Sequence, residues 1–375
     1  MEARKRTPLL RKPVVQALLA SLLCIVLGLV IGYLVLLLIN PRGAWDAILE
    51  VVKNFWHYSA PKAQLKYLGS TLVKTAPLIM ASLSVLFAYK VGLFNIGAAG
   101  QYVAGAGAAL YCALALQLPW YVCLIAAMLA GALLGSISGL LKAYRNVNEV
   151  ISCIMLNWIS LYLVNMLLST VKDPASPYTL GLAQTNASAM LPTVGLDMLF
   201  AGNKNATIAI PLALICAVLI WLLLTKTKLG FELRATGLNK NAARYCGMRE
   251  KFNIILTMAI AGALAGMGAA MLYLTGFEEW SCTQSSVPAM GFNGISAAFL
   301  GGLNPIGAVF SSFFIQHITN GGAYVDKTMY CSQISDFISS VIIYLCGFVL
   351  FFKQSINAAL DRREDRIMMK GGAAK

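Results

Sequence analysis

An uncharged apolar stretch near the start of the sequence restricts the fold more than any other feature. Residues 14–39 contain no charged side chain over 26 positions, and five basic residues precede them. One helical crossing of a bilayer needs about 20 apolar residues, so this run is long enough to span a membrane. It is too long for the apolar part of a signal peptide, and no small-residue cleavage pattern follows it. The sequence therefore predicts a retained first membrane helix.

Further apolar runs follow along the whole chain, and hydrophobic residues make up 59% of the sequence. Because lipid offers no hydrogen-bond partners to backbone groups, runs of this length are expected to be helical. The alternation that marks a transmembrane barrel is missing. We predict an all-α polytopic membrane protein, forming one transmembrane domain over residues 1–375. Its ten predicted spans are 14–39, 72–89, 96–116, 120–141, 150–170, 206–225, 252–275, 294–302, 305–320 and 333–352.

The basic residues predict the orientation of these spans. Lys and Arg number 29 against 15 Asp and Glu, which gives a net charge of +14. Basic residues accumulate on the cytoplasmic side of membrane proteins. With the N-terminus inside, 21 of the 29 fall inside. Residues 1–13, 226–251 and 353–375 are therefore predicted to be cytoplasmic, and the charge excess needs no nucleic-acid partner to explain it.

Under this topology the main outer segments are 40–71, 171–205, 276–292 and 321–332. Residues 44–68 mix aromatic and charged side chains, which is typical of an interfacial helix and equally of a packed extracellular loop. Both interpretations remain open. Cys282 and Cys331 also fall on the outer side, where a disulfide between them is one option.

Two short segments of the chain resemble each other. Residues 92–97 read Gly-Leu-Phe-Asn-Ile-Gly, and residues 291–295 read Gly-Phe-Asn-Gly-Ile. Each follows an apolar span, and these two spans, the second and the seventh, cross in opposite directions. We therefore predict an inverted repeat of spans 2–5 and 7–10. Many transporters are built in this way, with the substrate site at the repeat interface.

Short or interrupted spans lie close to the two similar segments. Only 15 residues separate Lys74 from Lys90, and Gly301 and Gly302 end a run of nine residues. Paired interrupted spans in matching halves are a sequence indication of a transport site. Glycines in the fourth span have a simpler interpretation, close helix packing.

The polar side chains within the spans are mostly amides. An ion-coupled carrier would be expected to show carboxylates within its spans, and a channel would need charged rings or a carbonyl filter. Amides and aromatic rings suit a neutral solute that forms hydrogen bonds. Each amide has an alternative role in an interhelical hydrogen bond. The candidate residues of the substrate path are Phe94, Asn95, Gln101, Asn157, Trp158, Phe292, Asn293 and Asn304.

Catalytic and metal-binding patterns are missing from the sequence. The chain has two histidines and nine cysteines without a Cys-x-x-Cys pair, and it lacks the P-loop pattern. We therefore predict neither a catalytic site, a metal nor a cofactor in this chain.

The loop 226–251 carries signals for a short helix. Asn239 suits the N-cap and Gly247 the position after the helix, which leaves about two turns. Its predicted apolar side holds Ala242, Ala243, Tyr245 and Cys246. So short a helix needs a partner surface, either the chain's own span ends or an ATPase, and we favour an ATPase. The candidate coupling residues are Glu232, Arg234, Asn239, Ala242, Ala243, Arg244, Tyr245 and Gly247.

Residues 92–101, Gly-Leu-Phe-Asn-Ile-Gly-Ala-Ala-Gly-Gln, resemble the segment after the second span in bacterial ABC-importer permeases of the ribose and branched-chain amino acid superfamily. Residues 148–157, 229–247 and 291–307 are similar, more narrowly, to the nucleoside-type branch, which works with a basic-membrane-protein lipoprotein as solute receptor. The resemblance extends over about residues 65–350.

This resemblance implies ten spans in the cytoplasmic membrane of a bacterium. It implies a heterodimer with a second, shorter permease, and one fused double ATPase that binds ATP and Mg. The segment 229–247 then corresponds to the helix that couples to the ATPase. One position departs from the family, because Ala99 stands where the family usually has Glu.

The function expected from these observations is that of the permease subunit of an ATP-driven nucleoside importer. A permease for a simple sugar or another neutral metabolite is the alternative within the same class. An ion-coupled secondary carrier or a channel is the alternative from another class, and the shortage of carboxylates within the spans speaks against it.

Overall fold

The protein is described here by a computed structural model, which covers residues 13–331, 333–348, 351–352, 354–355 and 357–358. Within these ranges the chain is helical, and two isolated β-bridges are its only strand-like pairing. The predicted cytoplasmic N-terminus, apart from Pro13, and most of the predicted tail 353–375 lie outside the described residues.

The helices are α1 (Pro13–Ile39), α2 (Ala44–Lys53), α3 (Pro61–Lys90), α4 (Ala98–Leu114), α5 (Trp120–Arg145), α6 (Glu149–Leu168), α7 (Leu182–Thr185), α8 (Leu196–Leu199), α9 (Ala209–Lys226), α10 (Lys228–Leu238), α11 (Lys240–Tyr245), α12 (Glu250–Tyr273), α13 (Ala289–Leu300), α14 (Pro305–Gly321) and α15 (Ile334–Cys346). Short 3-10 turns follow α2, α6 and α14, and one lies between α7 and α8.

Six helices among the described residues are long and apolar enough to cross a membrane, namely α1, α3, α5, α6, α9 and α12. The all-helical class and a multi-pass membrane protein are thereby confirmed. The shorter helices α4, α13, α14 and α15 coincide with the remaining apolar runs. The total of ten spans, the inverted repeat and the side on which the termini lie stay predictions.

Helix α3 differs from the short second span that the sequence suggests. It begins at Pro61 and continues for 30 residues to Lys90. Proline suits the first position of a helix, since its missing N–H would have no partner there. Lys74 is tolerated within α3 because its Nζ lies 2.8 Å from the Glu278 carboxylate and over the Phe277 ring. The prediction of a short second span is therefore wrong.

Helix α3 is almost entirely buried between Val73 and Ala88. Helices α9, α12, α13 and α14 pack against it. Pro77 lies inside this helix and has no N–H to donate to the Val73 carbonyl. Helix α3 is thus the central element of the fold, with one missing backbone hydrogen bond near its middle.

Helices α5 and α12 approach each other with their backbones in contact. A Cβ atom built on Gly131 would lie 2.2 Å from the Gly262 carbonyl oxygen, and one on Gly262 would lie 2.1 Å from the Gly131 oxygen. No side chain fits between them. The packing role predicted for the glycines of the fourth span is therefore confirmed.

The loops that follow α6 and α12 form a joint layer at one end of the helices. Trp280 is fully buried, and its Nε1 donates a hydrogen bond to Asn165 Oδ1 at 2.9 Å. Asn165 Nδ2 donates in turn to the Gln284 carbonyl at 2.8 Å. Cys282 and Cys331 are both free thiols, so the disulfide considered for them is not formed.

The segment 44–68 is mostly helical and packed. Ala44, Ala47, Ile48 and Val51 of α2 are buried, while Trp45 is exposed. Helix α2 is amphipathic and lies against α1 and α14. The segment therefore combines features of the two interpretations, since it is a helix with one exposed face and it is packed on the protein.

We expect Gly262→Leu to disrupt the contact between α5 and α12. Overpacking of a close helix crossing costs about 1–3 kcal/mol, because the helices must separate. The melting temperature of the detergent-solubilised protein and its yield from membranes should both fall. Leu133→Phe on α5 is the control, since Leu133 is exposed. Equal melting temperatures for the two variants would contradict this account of the crossing.

Candidate functional site

The turn between α3 and α4 contains the first of the two similar segments, and a pair of amides holds it. Asn95 is fully buried, and its Nδ2 donates to Gln101 Oε1 at 2.8 Å and to Ser84 Oγ at 3.0 Å. Gln101 Nε2 donates back to Asn95 Oδ1 at 3.1 Å. The two side chains thus satisfy each other within the protein, as buried amides require.

Asn157 ties this turn to α6. Its Oδ1 accepts a hydrogen bond from the Gly100 N–H at 2.8 Å, and its Nδ2 donates to the Ile96 carbonyl at 3.1 Å. The structure therefore brings Asn95, Gln101 and Asn157 together, as predicted for members of one site. In this conformation their polar atoms bind the protein itself. Their contact with a solute stays a prediction.

The second of the two similar segments packs against the start of α4, directly after the first segment, and against α3. A Cβ atom built on Gly291 would lie 2.3 Å from the Ala99 Cα atom, and one on Gly294 would lie 2.7 Å from Ala81. Helix α4 begins at Ala98 and α13 at Ala289, so the first turns of these two helices lie side by side. The first N–H groups of a helix carry partial positive charge and attract electron-rich groups.

Three candidate side chains close to this meeting point have accessible surface. Phe292 and Asn293 directly follow Gly291, with Phe292 exposed and Asn293 partly buried. Asn293 donates no side-chain hydrogen bond to any residue that the structure describes. Trp158, next to Asn157, is exposed and its ring stacks on Tyr162 with a centroid distance of 6.2 Å. Rings and a free amide are therefore available here.

The remaining two candidates are placed differently. Phe94 is partly buried beside Asn95 in the turn. Asn304 is exposed and caps α14, because its Oδ1 accepts hydrogen bonds from the N–H groups of Ile306 at 2.9 Å and Gly307 at 3.4 Å. Asn-Pro at a helix start is a common capping pattern, and it gives Asn304 a structural role at the start of α14.

A cavity of about 400 Å³ lies between α3, α9 and α14 and contains none of the candidate residues. Its lining is apolar, and the hydroxyl of its one Thr, Thr75, donates to the Thr71 carbonyl at 2.7 Å. It therefore does not suit a solute that needs hydrogen bonds. Its walls include Leu72, Ile79, Leu214, Phe310 and Phe313.

Two buried hydroxyl groups are not among the site residues predicted from the sequence. Tyr102 Oη and Ser160 Oγ have no hydrogen-bond partner among the described residues, although both are enclosed. Tyr102 is on α4, one residue after Gln101, and its ring lies 6.3 Å from the Tyr273 ring. A Tyr directly after Gln101, in a Gly/Ala-rich stretch, is the sequence signal for this position. A buried hydroxyl without a partner is costly in this state.

The loop 226–251 folds into α10 and α11. Asn239 Oδ1 accepts hydrogen bonds from the N–H groups of Asn241 and Ala242 at 3.1 and 3.0 Å, and Gly247 has a positive φ of 79°. The predicted N-cap and the predicted glycine after the helix are therefore confirmed. Helix α11 is shorter than two full turns, with six residues.

The predicted apolar side of this helix is wrong. Ala243 is buried, whereas Tyr245 is 93% exposed and both Ala242 and Cys246 are exposed. Residues two apart in a helix point in nearly opposite directions, so Ala243 and Tyr245 cannot share a face. In α11, therefore, Ala243 packs into the protein and the Tyr245 ring is exposed.

The other coupling candidates have only local partners. Glu232 Oε1 lies 3.8 Å from Lys228 Nζ, and Arg234 Nε donates to the Gly230 carbonyl at 3.3 Å. Arg244 is exposed. Leu238, at the end of α10, is 89% exposed. The exposed residues Leu238, Ala242 and Tyr245 lie in the loop that is predicted to be cytoplasmic and to bind an ATPase, and they are called the cytoplasmic docking surface below.

The family of the chain follows from comparison with known proteins. Residues 67–347 match the family described as "Branched-chain amino acid transport system / permease component". The chain belongs to this family. Members are permease components, that is, the membrane subunits of transport systems. The resemblance stated from the sequence motifs is thereby confirmed.

Two relatives align with most of this permease. The "Guanosine ABC transporter permease protein NupP" of Bacillus subtilis (strain 168) is 33% identical over 87% of the chain and 92% of NupP. The "Nucleoside ABC transporter permease protein NupB" of Lactococcus lactis subsp. cremoris (strain MG1363) is 32% identical over 87% of the chain and 89% of NupB.

A third relative shows that one organism has two such permeases. The "Guanosine ABC transporter permease protein NupQ" comes from the same Bacillus subtilis strain as NupP. It is 26% identical to this permease over 65% of the chain and 78% of NupQ. The chain thus resembles both guanosine permease proteins of this organism, and it resembles NupP more closely than NupQ.

We expect Asn95→Ala to destabilise the permease, while Asn293→Ala leaves its stability unchanged. Removing Asn95 leaves the buried Gln101 amide without its partner, which costs about 1–3 kcal/mol. Asn293 has no side-chain partner to lose. The measurement is the melting temperature of each purified variant. A larger fall for Asn293→Ala than for Asn95→Ala would contradict these assignments.

Proposed function

We propose that this chain is the permease subunit of an ATP-driven importer for nucleosides. The observation that carries the proposal is its similarity to NupP and NupB over 87% of its length, because guanosine and nucleoside transport stand in their names. The proposal includes no catalytic site, metal or cofactor in this chain. ATP and Mg bind to the ATPase partner.

The geometry at the meeting point of α4 and α13 supports a nucleoside as the solute. A nucleoside offers a flat base to aromatic rings and hydroxyls and ring nitrogens to amides. Phe292 and Trp158 present exposed rings, and Asn293 presents an amide that has no partner within the described ranges of the chain. A transport path between two helix starts is also what an inverted repeat of spans 2–5 and 7–10 would produce.

The Asn95, Gln101 and Asn157 cluster acts, in this proposal, as the support of the path. Its amides are paired within the protein and so hold the first turn of α4 in place. Phe94 and Asn304 border the same two segments. The amides of Asn95, Gln101 and Asn157 can bind the solute only if, during transport, a hydrogen bond within the protein breaks and one to the solute replaces it.

The ATPase docks on the cytoplasmic docking surface in this proposal. Leu238 and Tyr245 are almost fully exposed, and apolar side chains in such a position favour burial by a partner. Glu232, Arg234 and Arg244 supply charge around them. ATP binding then moves α10–α11, and the permease alternates between outward and inward access.

The complete importer contains further subunits. A second permease is supported by NupP and NupQ, which share an organism and both resemble this chain. A fused double ATPase and a lipoprotein solute receptor are proposed from the resemblance of the motifs 148–157, 229–247 and 291–307. We place the chain in a bacterial cytoplasmic membrane, with about ten spans, both termini inside and one domain over residues 1–375.

Nucleoside uptake by proteoliposomes tests this proposal. Vesicles that contain the two permeases, the ATPase and the receptor should accumulate labelled nucleoside only when ATP is supplied. Omission of the ATPase is the control. Uptake that continues unchanged without the ATPase, or that a sodium or proton gradient alone drives, would assign the chain to ion-coupled carriers or channels.

Competition distinguishes a nucleoside from a simple sugar. Unlabelled adenosine or guanosine should suppress uptake, and ribose at the same concentration should not, because ribose lacks the base that the rings contact. Asn293→Ala should raise the KM by about tenfold, as expected for the loss of one hydrogen bond of 1.4 kcal/mol. Competition by ribose alone would identify a sugar permease instead.

Binding of the ATPase tests the cytoplasmic docking surface. Tyr245→Ala removes an exposed ring, and Ala242→Trp adds bulk beside it, so each should weaken ATPase binding by about tenfold. Met198→Ala is the matched control, since Met198 is 84% exposed and lies in a predicted outer segment. The measurement is a binding titration with purified ATPase. Wild-type affinity in both docking variants would exclude this surface.

A further inference from the structure

Two glycines bring the cytoplasmic helix α10 into direct backbone contact with the α3–α4 turn. A Cβ atom on Gly92 would lie 2.7 Å from the Gly237 carbonyl oxygen and 2.9 Å from its Cα atom. A Cβ atom on Gly237 would lie 2.2 Å from the Val91 carbonyl oxygen. No side chain separates the two segments. We name this contact the glycine joint.

The joint lies one residue from the cytoplasmic docking surface. Gly237 precedes Leu238, the exposed last residue of α10. Helix α10 is anchored immediately before this point, since Asn253 Nδ2 donates to Thr236 Oγ1 at 2.8 Å and Leu233 is fully buried. A force on the docking surface therefore reaches the joint through less than one turn of helix.

On its other side the joint continues into the amide cluster. Gly92 opens the turn whose residues Asn95 and Ile96 are bound to Gln101 and Asn157. The turn is therefore held as one unit with the first turn of α4. That turn contains Ala99, on which Gly291 of α13 packs.

We propose that the glycine joint transmits the movement of α10–α11 to the α3–α4 turn, and through the contact of Ala99 with Gly291 to the start of α13. The proposal rests on the proposed function, because it assumes a partner that moves α10–α11. It assigns Gly92, Gly237 and Gly291 as positioning residues of the transport cycle.

Packing physics favours these contacts as the route. Side chains between two elements absorb small displacements by changing rotamer, whereas backbones in van der Waals contact are nearly incompressible. Both ends of the route are such contacts, and hydrogen-bonded amides fill the middle. The route is thus a contiguous physical network of the kind that can carry energetic coupling between two sites.

The first test measures movement without any solute. In the reconstituted complex with its ATPase and second permease, the labelling rate of Phe292→Cys by a thiol reagent is followed by site-resolved mass spectrometry, with and without ATP. We expect ATP to change this rate, and Gly237→Ala to reduce the change by about tenfold. Gly237 is helical, so alanine there raises helix propensity and does not strain the backbone.

Gly92→Ala and Gly195→Ala form a matched pair. Gly92 has φ +77° and Gly195 has φ +81°, so alanine strains the backbone equally at both. Only Gly92 has a neighbour at the Cβ position, because nothing lies within 4 Å of Gly195. We expect Gly92→Ala to lose the response to ATP and Gly195→Ala to keep it.

The outcomes separate this inference from the proposed function. The proposed role of the glycine joint is wrong if ATP changes the labelling rate of the Gly237→Ala variant as much as that of the wild type. It is also wrong if ATP leaves the labelling rate of the wild type unchanged. Loss of response together with a lower melting temperature and a proportional fall in ATPase activity also overturns it, since that indicates misfolding. A response to ATP that the joint variants lose, in a complex that takes up no nucleoside, supports the joint and refutes the proposed solute.

Discussion

A polar group removed from water needs a hydrogen-bond partner within the protein, and this constraint governs both the fold and the candidate site. In lipid it makes the long apolar runs helical. In the protein interior it requires the irregular turn between α3 and α4, where Asn95 is fully buried, to be satisfied by side chains. Asn95, Gln101 and Asn157 meet this requirement with hydrogen bonds to one another and to the turn. Asn293 differs from them because its amide has no hydrogen-bond partner among the residues that the structure describes. The proposed solute path therefore uses the polar group that the described part of the protein leaves unpaired.

Much of this architecture follows from the sequence, for identifiable reasons. Apolar runs located the long helices, and Asn239 and Gly247 marked the ends of α11, since caps depend on local chemistry. The start of α3 at Pro61 does not follow from the apolar runs, because the stretch before residue 72 contains Lys62, Gln64 and Lys66. The partner of Lys74, Glu278, is about 200 residues away in sequence. The pairing of Asn95 with Gln101 also depends on three-dimensional contact. Sequence patterns identify the candidate residues, and packing decides what each of them binds.

Small residues allow the contacts on which the proposed transport cycle depends. At Gly131 and Gly262, at Gly92 and Gly237, and at Gly291, backbone lies on backbone with no side chain between. The first of these contacts holds two membrane helices together. The second connects α10 with the first similar segment, and the third connects the second similar segment with the start of α4. The stability of the helix packing and the proposed transmission of movement thus both depend on close backbone contacts at glycine, at different places in the fold.

The proline within α3 has a mechanical consequence. Helix α3 is about 45 Å long at 1.5 Å per residue, so it exceeds the hydrocarbon thickness of a bilayer. Pro77, near its middle, removes one backbone hydrogen bond and lowers the energy needed to bend the helix there. One arm carries Lys74 and the loop bound to it, and the other ends at the turn that contains Gly92. Bending at Pro77 would change the angle between the arm that Glu278 holds and the arm that ends at Gly92.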